Sequence, residues 1–291
     1  MPSLKEVKNR ISSVQNTRKI TSAMRMVASA KLHRAQGAIE RMLPYQNRMD
    51  EILTRFLANN HDQVRSPYTR ERLVKRVALV AFSSNHSMCG AFNANVTKQL
   101  LRSVEKYETL GKENILIFTV GKKVEDEVRK HGYELQATFQ EMADKPTYEE
   151  SVLLANQLME LFAHEQVDKV EFIFHHFKSM GSQELMTIQY LPIDLKKLDN
   201  DVSDKPLKVD YIIEPSTKEF IADLLPQVLN LNVFTALLDS SASEHAARAM
   251  SMQVATDNAN ELIEELSRQY NKSRQQSITN ELLDIVGGSM R

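Results

Sequence analysis

The last seventy-odd residues constrain this chain most. From Ser240 the run SSASEHAARAMSMQVATDNANELIEELSRQYNKSRQQSITNELLDIVGGSM has no proline, and its only glycines are Gly287 and Gly288. Small and apolar residues recur three or four apart, at Ala242, Ala246, Ala249, Met252, Ala255, Ala259, Leu262 and Leu266. That spacing is one face of an α-helix and has none of the alternation of a strand. Good helix formers dominate. Pro215 and Ser216 followed by Glu219 read as an N-terminal cap, and the glycine pair reads as a C-terminal stop. At 1.5 Å per residue such a helix is roughly 105 Å long. Its charge argues against a membrane span. A helix of this length needs a partner helix.

The first segment, Ser3 to about Phe56, is that partner. Leu4, Val7, Ile11 and Val14 step by three and four, as in a heptad seam. Thr17 and Thr21 then fall where apolar residues belong, and Ile20, Met24 and Val27 take over, so the stripe is expected to drift around the helix. Pro44 is expected to bend the helix without ending it, because Met49, Ile52, Leu53 and Phe56 continue the pattern. At roughly 80 Å this helix leaves about 25 Å of the longer one unpaired, part of it at the C-terminal tip.

Between the helices the character changes. Asn59–Arg72 is polar and reads as a linker. Val77–Phe82, Ile115–Val120 and Val170–Phe174 are short apolar runs of the kind that form buried parallel strands. Helical patterns at Ala91–Leu110, Lys122–His131 and Thr147–Ala163 alternate with them, and Glu184–Ile193 reads as an edge strand. Lys196–Lys208 is a charged loop. The expected fold class is α/β plus a long coiled coil: residues 1–58 and 209–291 as antiparallel helices, with 59–208 as a linker and an inserted Rossmann-like α/β domain.

Composition narrows the function. The net charge of −1 excludes a nucleic-acid binder by bulk charge. One cysteine, Cys89, cannot form an intramolecular disulfide and suits a reducing compartment. Met1–Arg10 lacks the apolar core of a signal peptide.

Few stretches could carry chemistry. The loop SSNHSMCGAFN follows a strand and precedes a helix, where open α/β sheets place reactive groups, and Ser83, His86, Ser87 and Cys89 could supply a nucleophile and a base. It matches no phosphate loop and no nucleophile elbow, so a polar turn is the preferred reading. TVGKK at Thr119–Lys123 reads as an ordinary helix start. His175 and His176 are neighbours on a strand, point to opposite faces and cannot share one metal. No CxxC or HExxH spacing and no isolated carboxylate pair is present. Catalytic, metal and cofactor sites are therefore expected to be none.

Two surfaces look built for partners. From Ser3 to Arg41 the first helix carries Lys5, Lys8, Arg10, Arg18, Lys19, Arg25, Lys31, Arg34 and Arg41 against only Glu6 and Glu40. Such repulsion asks for an acidic partner, and the lack of aromatics there argues against stacked bases. At the other end Arg274, Gln275, Gln276, Ser277, Thr279 and Asn280 form a polar belt before Ile278, Leu282, Leu283, Ile285 and Val286. An apolar tip in water favours a socket.

LKEVKNRISSVQNTRKITSAMRMVASAKLHRAQ and SEHAARAMSMQVATDNANELIEELSRQYNKSRQQSITNELLDIVGG resemble the gamma subunit of the F-type ATP synthase, over the whole chain and least in its middle. The resemblance implies a non-catalytic rotor shaft inside a hexamer of three alpha and three beta subunits. Its turning imposes different conformations on beta and couples proton-driven c-ring rotation to ATP synthesis or hydrolysis. By the same resemblance, Met24 and Arg25 face the acidic lever loop of beta. Arg248, Arg274, Gln275 and Thr279 contact the hexamer, and Ile278, Leu282 and Ile285 occupy an apolar sleeve. Tyr211 and Glu214 belong to the foot that meets epsilon and the c-ring. The SSNHSMCGAFN loop departs from the family's common acidic–arginine–glycine turn. The resemblance further implies a bacterial protein, peripheral on the cytoplasmic face of the inner membrane, with no direct membrane insertion and no nucleic acid. The alternatives are a doubly wound enzyme dimerising through its long helices and a nucleic-acid-binding coiled coil.

Overall fold

The computed structural model describes residues 3–59, 66–193, 214 and 216–289. The elements are α1 (Leu4–Asn59), β1 (Val77–Phe82), α2 (Phe92–Lys106), β2 (Ile115–Val120), α3 (Lys122–Lys130), β3 (Leu135–Phe139), α4 (Gln140–Asp144), α5 (Tyr148–Ala163), β4 (Lys169–Ser179), β5 (Ser182–Leu191) and α6 (Thr217–Ser289). The chain divides into two compact units, one of residues 1–30 with 248–291 and one of residues 31–247, and both long helices contribute to each.

In the larger unit the strands lie in the order β3-β2-β1-β4-β5. The first four are parallel, and β5 is an antiparallel edge formed by a hairpin from β4. Every residue of β1 is buried, as a central parallel strand covered on both faces requires. Val77, Leu79 and Ala81 pack with Val96, Leu100 and Val104 of α2 and Val124 and Val128 of α3. Ala78, Val80 and Phe82 face the other way, into a core with Leu154, Leu158 and Phe162 of α5 and Leu229, Val233, Ala236 and Leu237 of α6. The sheet is thus covered on that side partly by the long helix itself. Tyr190 stacks on Phe172 at 4.3 Å, and its hydroxyl donates to the Leu229 carbonyl at 3.3 Å.

Within the same unit α1 lies antiparallel to α6. Met49 and Leu53 pack with Ile221, Leu224, Leu225, Val228 and Leu231, and Leu32 and Ala35 pack with Ala242 and Ala246. The alanines allow close approach of the two backbones. Pro44 and Pro226 both lie inside helices that continue past them. Ser216 caps α6, accepting from the Glu219 N–H at 3.3 Å.

Two expectations change here. The described part of the linker is packed: Tyr68 joins two of the cores, and the Arg72 guanidinium donates to the carbonyls of Phe162 and Val167. A polar composition hid this because the arginine spends its donors on chain carbonyls. The charge argument against a membrane span also fails for part of α6, since one 18-residue stretch of it is apolar enough by length and composition. Of that stretch 56% is buried, and apolar side chains of α6 such as Leu225, Val228, Leu229, Val233 and Leu237 pack against the sheet and α1. The charged loop at Lys196–Lys208 lies outside the described residues.

Candidate functional site

The smaller unit is a two-helix rod. Val7, Thr21 and Ala28 of α1 are buried, with Ile11, Val14, Arg18 and Arg25 half-buried between them, a continuous three–four spacing. On α6 the matching seam is Ala249, Met252, Thr256, Ala259, Ile263 and Leu266. The seam therefore does not drift. Where the apolar residues stop, polar pairs hold the register: Thr21 and Thr256 share a hydroxyl hydrogen bond of 2.8 Å, Arg18 donates to Asn260 at 3.2 Å, and Arg25 donates to Gln253. Gln253 in turn donates to both Asp257 oxygens at 2.9 and 2.8 Å.

Two of the three residues expected to inherit the seam lie outside it. Ile20 is 60% exposed and Val27 58%, and Met26, Met250 and Val254 are also exposed. Met24 is half-buried. The rod thus carries an apolar surface separate from its own packing. Arg25 is half-buried because one arm of its guanidinium is held by Gln253, which fixes the direction of the rest.

At the tip the two sets of site residues share one stretch of α6. Arg274 and Gln275 are exposed, and the Thr279 hydroxyl donates to the Gln275 carbonyl at 2.9 Å, an i−4 bond that leaves its lone pairs outward. Ile278 is 47% exposed, Leu282 57% and Ile285 68%, with Leu283 and Val286 exposed beside them. Among the described residues no apolar cluster includes this segment. The expected stop at Gly287–Gly288 is absent: the helix runs through both to Ser289. Glycine permits the left-handed turn that ends a helix but does not impose it.

Arg248 is half-buried and Glu214 exposed. Tyr211 lies outside the described residues.

The α/β domain uses its polar loop residues on its own backbone. The Ser83 hydroxyl donates to the Val120 carbonyl at 3.2 Å and accepts the Val124 N–H at 3.2 Å. Ser84 bonds Asn93 and the His86 carbonyl, while the buried Cys89 thiol accepts from the Asn93 amide at 3.2 Å. These bonds close the turn between β1 and α2. Gly121, at φ +95°, lets this turn approach: a Cβ there would stand 2.4 Å from the Ser83 carbonyl oxygen. His175 is buried and stacks on Phe92 at 4.6 Å. Burial pulls its pKa down to about 4, so it is neutral. His176, on the opposite face, meets Asp239 of α6 at 2.7 Å. Among the described residues no group of three metal-ligating side chains forms. Sequence reasoning missed Gln253, Thr256, Asn260 and Asp239, because polar seam residues become legible only once the helix register is known.

The fold defines a class: a chain whose first and last elements are long helices paired with each other, with an α/β domain between them in the sequence. A family model described as ATP synthase matches residues 3–290. The ATP synthase gamma chain of Bacteroides fragilis is 64% identical over 290 residues, covering 100% of both chains, and that of Parabacteroides distasonis is 47% identical over 99% of both. The fold is shared with the central stalk/c-ring structure of Tetrahymena thermophila mitochondrial ATP synthase, at 21% identity, TM-score 0.61, 81% of this chain and 99% of that one. It is shared also with the Euglena gracilis mitochondrial OSCP/F1/c-ring structure, at 17% identity, TM-score 0.64, 99% of this chain and 93% of that one. This chain belongs to the ATP synthase gamma chain family. These relatives lend no support to a self-standing dimeric enzyme.

Proposed function

We propose that this chain is the central rotor shaft of an F-type ATP synthase, itself without a catalytic site. It turns inside a ring of three alpha and three beta subunits, on a foot that joins epsilon and the c-ring, peripheral on the cytoplasmic face of a bacterial inner membrane. Residues 1–58 and 209–291 act as the shaft and 59–208 as the inserted domain. The observation that carries this reading is the exposed apolar tip at Ile278, Leu282 and Ile285, which no apolar cluster among the described residues covers.

The mechanism rests on surfaces of different strength. The tip residues enter an apolar sleeve, and burying such side chains stabilises by about 1.5–3 kcal/mol each. Without directional bonds a sleeve tolerates turning. Arg274, Gln275 and Thr279 meet the hexamer below it, and Arg248 meets it lower again. Met24 and Arg25 work on the acidic lever of beta. Exposed ion pairs are worth about 0–1 kcal/mol, weak enough to be exchanged at each step. The shaft drives beta only by binding its conformations unequally. A rod with an apolar stripe at Ile20 and Val27 on one helix, and cations elsewhere, supports that inequality. Glu214, with Tyr211, serves the foot.

The test is capture of the tagged chain from solubilised membranes of its host. Two large subunits in roughly threefold excess, with ATPase activity that the chain alone lacks, are expected. Recovery of the chain alone or as a homodimer would refute the shaft.

A further inference from the structure

The larger unit holds a small pocket that the shaft reading does not use. It lies where α1, α6 and the Asp144–Pro146 turn meet, with a volume of about 240 Å³. That is below the roughly 300–1,000 Å³ of sites for larger organic ligands, and suits an ion with a few waters. Lys31 and Arg34 enter it from α1, one turn apart on the same face, and Lys145 enters from the turn. Its floor is Ser241 and His245 of α6, both buried. Two alanines of α1 and Leu238 complete the walls.

Charge decides what this pocket can hold. Among the described residues Lys31, Arg34 and Lys145 take part in no ion pair or side-chain hydrogen bond. Three exposed cations lining one pocket give it a positive potential that favours an anion. One carboxylate, Asp144, also lines the pocket, with the His86 Nε2 3.8 Å from its Oδ1, so the cations outnumber it three to one. Ser241 adds a hydroxyl at the floor, and His245 an imidazole whose Nδ1 lies 3.9 Å from the buried Glu244 carboxylate. A planar guanidinium with several N–H donors matches a phosphate better than a monatomic ion.

We infer that this pocket binds inorganic phosphate. The bound ion bridges α1, α6 and the turn before α5, and so fastens the α/β domain to the two helices of its own unit. Neither the tip contacts nor the lever contacts enter the argument, so it stands or falls apart from the proposed function.

The experiment is calorimetric titration of inorganic phosphate into the full chain, against chloride at matched ionic strength, with phosphorus NMR line broadening alongside. One saturable site with a Kd of about 1 mM or tighter is expected. Arg34→Gln with Lys145→Gln should weaken it at least about tenfold. Lys98→Gln with Arg102→Gln, on the outer face of α2, should leave it unchanged. Both pairs are exposed side chains, and circular dichroism checks that the fold is kept. Ser241→Ala, which removes one floor donor without touching a charge, should weaken binding as well. No saturable binding, an equal effect of chloride, equal loss in both double variants, or binding of an acidic peptide without phosphate would overturn the assignment.

Discussion

Replacing His175 with leucine should remove a pH dependence from the stability of this chain. The imidazole is buried beneath α2 against Phe92, and its Nδ1 has no hydrogen-bond partner. Its pKa falls from 6.5 to about 4 because burial disfavours the charged ring. As pH drops below 6.5 the unfolded chain takes up a proton that the folded chain refuses, so stability is lost between 6.5 and 4. At about pH 5, some 1.5 units below the unfolded value, the loss at 1.36 kcal/mol per unit is about 2 kcal/mol. Leucine removes the stack and the orphan nitrogen at every pH, an offset that does not change with acid. Urea unfolding of both proteins at pH 7.5 and pH 5, followed by circular dichroism, measures the difference. Carboxylates held below their usual range, Glu171 and Glu184 among them, also weaken the fold in acid, but they are common to both proteins and cancel. The gap between variant and parent should move by about 2 kcal/mol in favour of leucine on going to pH 5. A gap equal at both pH values would refute the neutral, desolvated histidine.

Gly121→Ala should destabilise by about 2 kcal/mol or more in the same assay, since φ is +95° and the new methyl would meet the Ser83 carbonyl. Burial alone would raise the Glu171 carboxyl, yet the Tyr107 hydroxyl at 2.6 Å and Lys169 at 2.9 Å hold it low. Glu171→Leu, which removes the acceptor that both groups share, should therefore lose about 2 kcal/mol at neutral pH, as read by urea unfolding. Changing Ile278, Leu282 and Ile285 together to serine should leave the free chain within about 0.5 kcal/mol of its parent, because these side chains are already exposed. The same variant should lower recovery of the assembled complex in the capture assay.

Much of the fold was legible because its strands are buried on both faces. Val77–Phe82 and Ile115–Val120 are uninterrupted apolar runs, and the structure gives β1 and β2 those same bounds. β3 was missed: Leu135–Phe139 is a five-residue strand on the sheet's margin, with alternating exposure and two polar residues. The rod was legible as a pair of helices, and its seam was legible at Val7, Ile11 and Val14 and at Ala249, Met252, Ala259 and Leu266, but not beyond Val14 on the first helix. Apolar periodicity followed Ile20 and Val27 outward, whereas Thr21 with Thr256, and Arg25 with Gln253, keep the register through hydrogen bonds. A pairing of that kind appears only when two distant stretches are laid side by side. The tip was legible because exposure needs no partner to be inferred.

The central claim is that this chain turns. With the hexamer fixed to a surface and a bead attached through Met180→Cys at the exposed β4–β5 hairpin, ATP should drive rotation in one direction, in three steps per turn. Cys89 is buried and should not compete for the label. A bead that stays still while the same immobilised complex hydrolyses ATP would contradict the account.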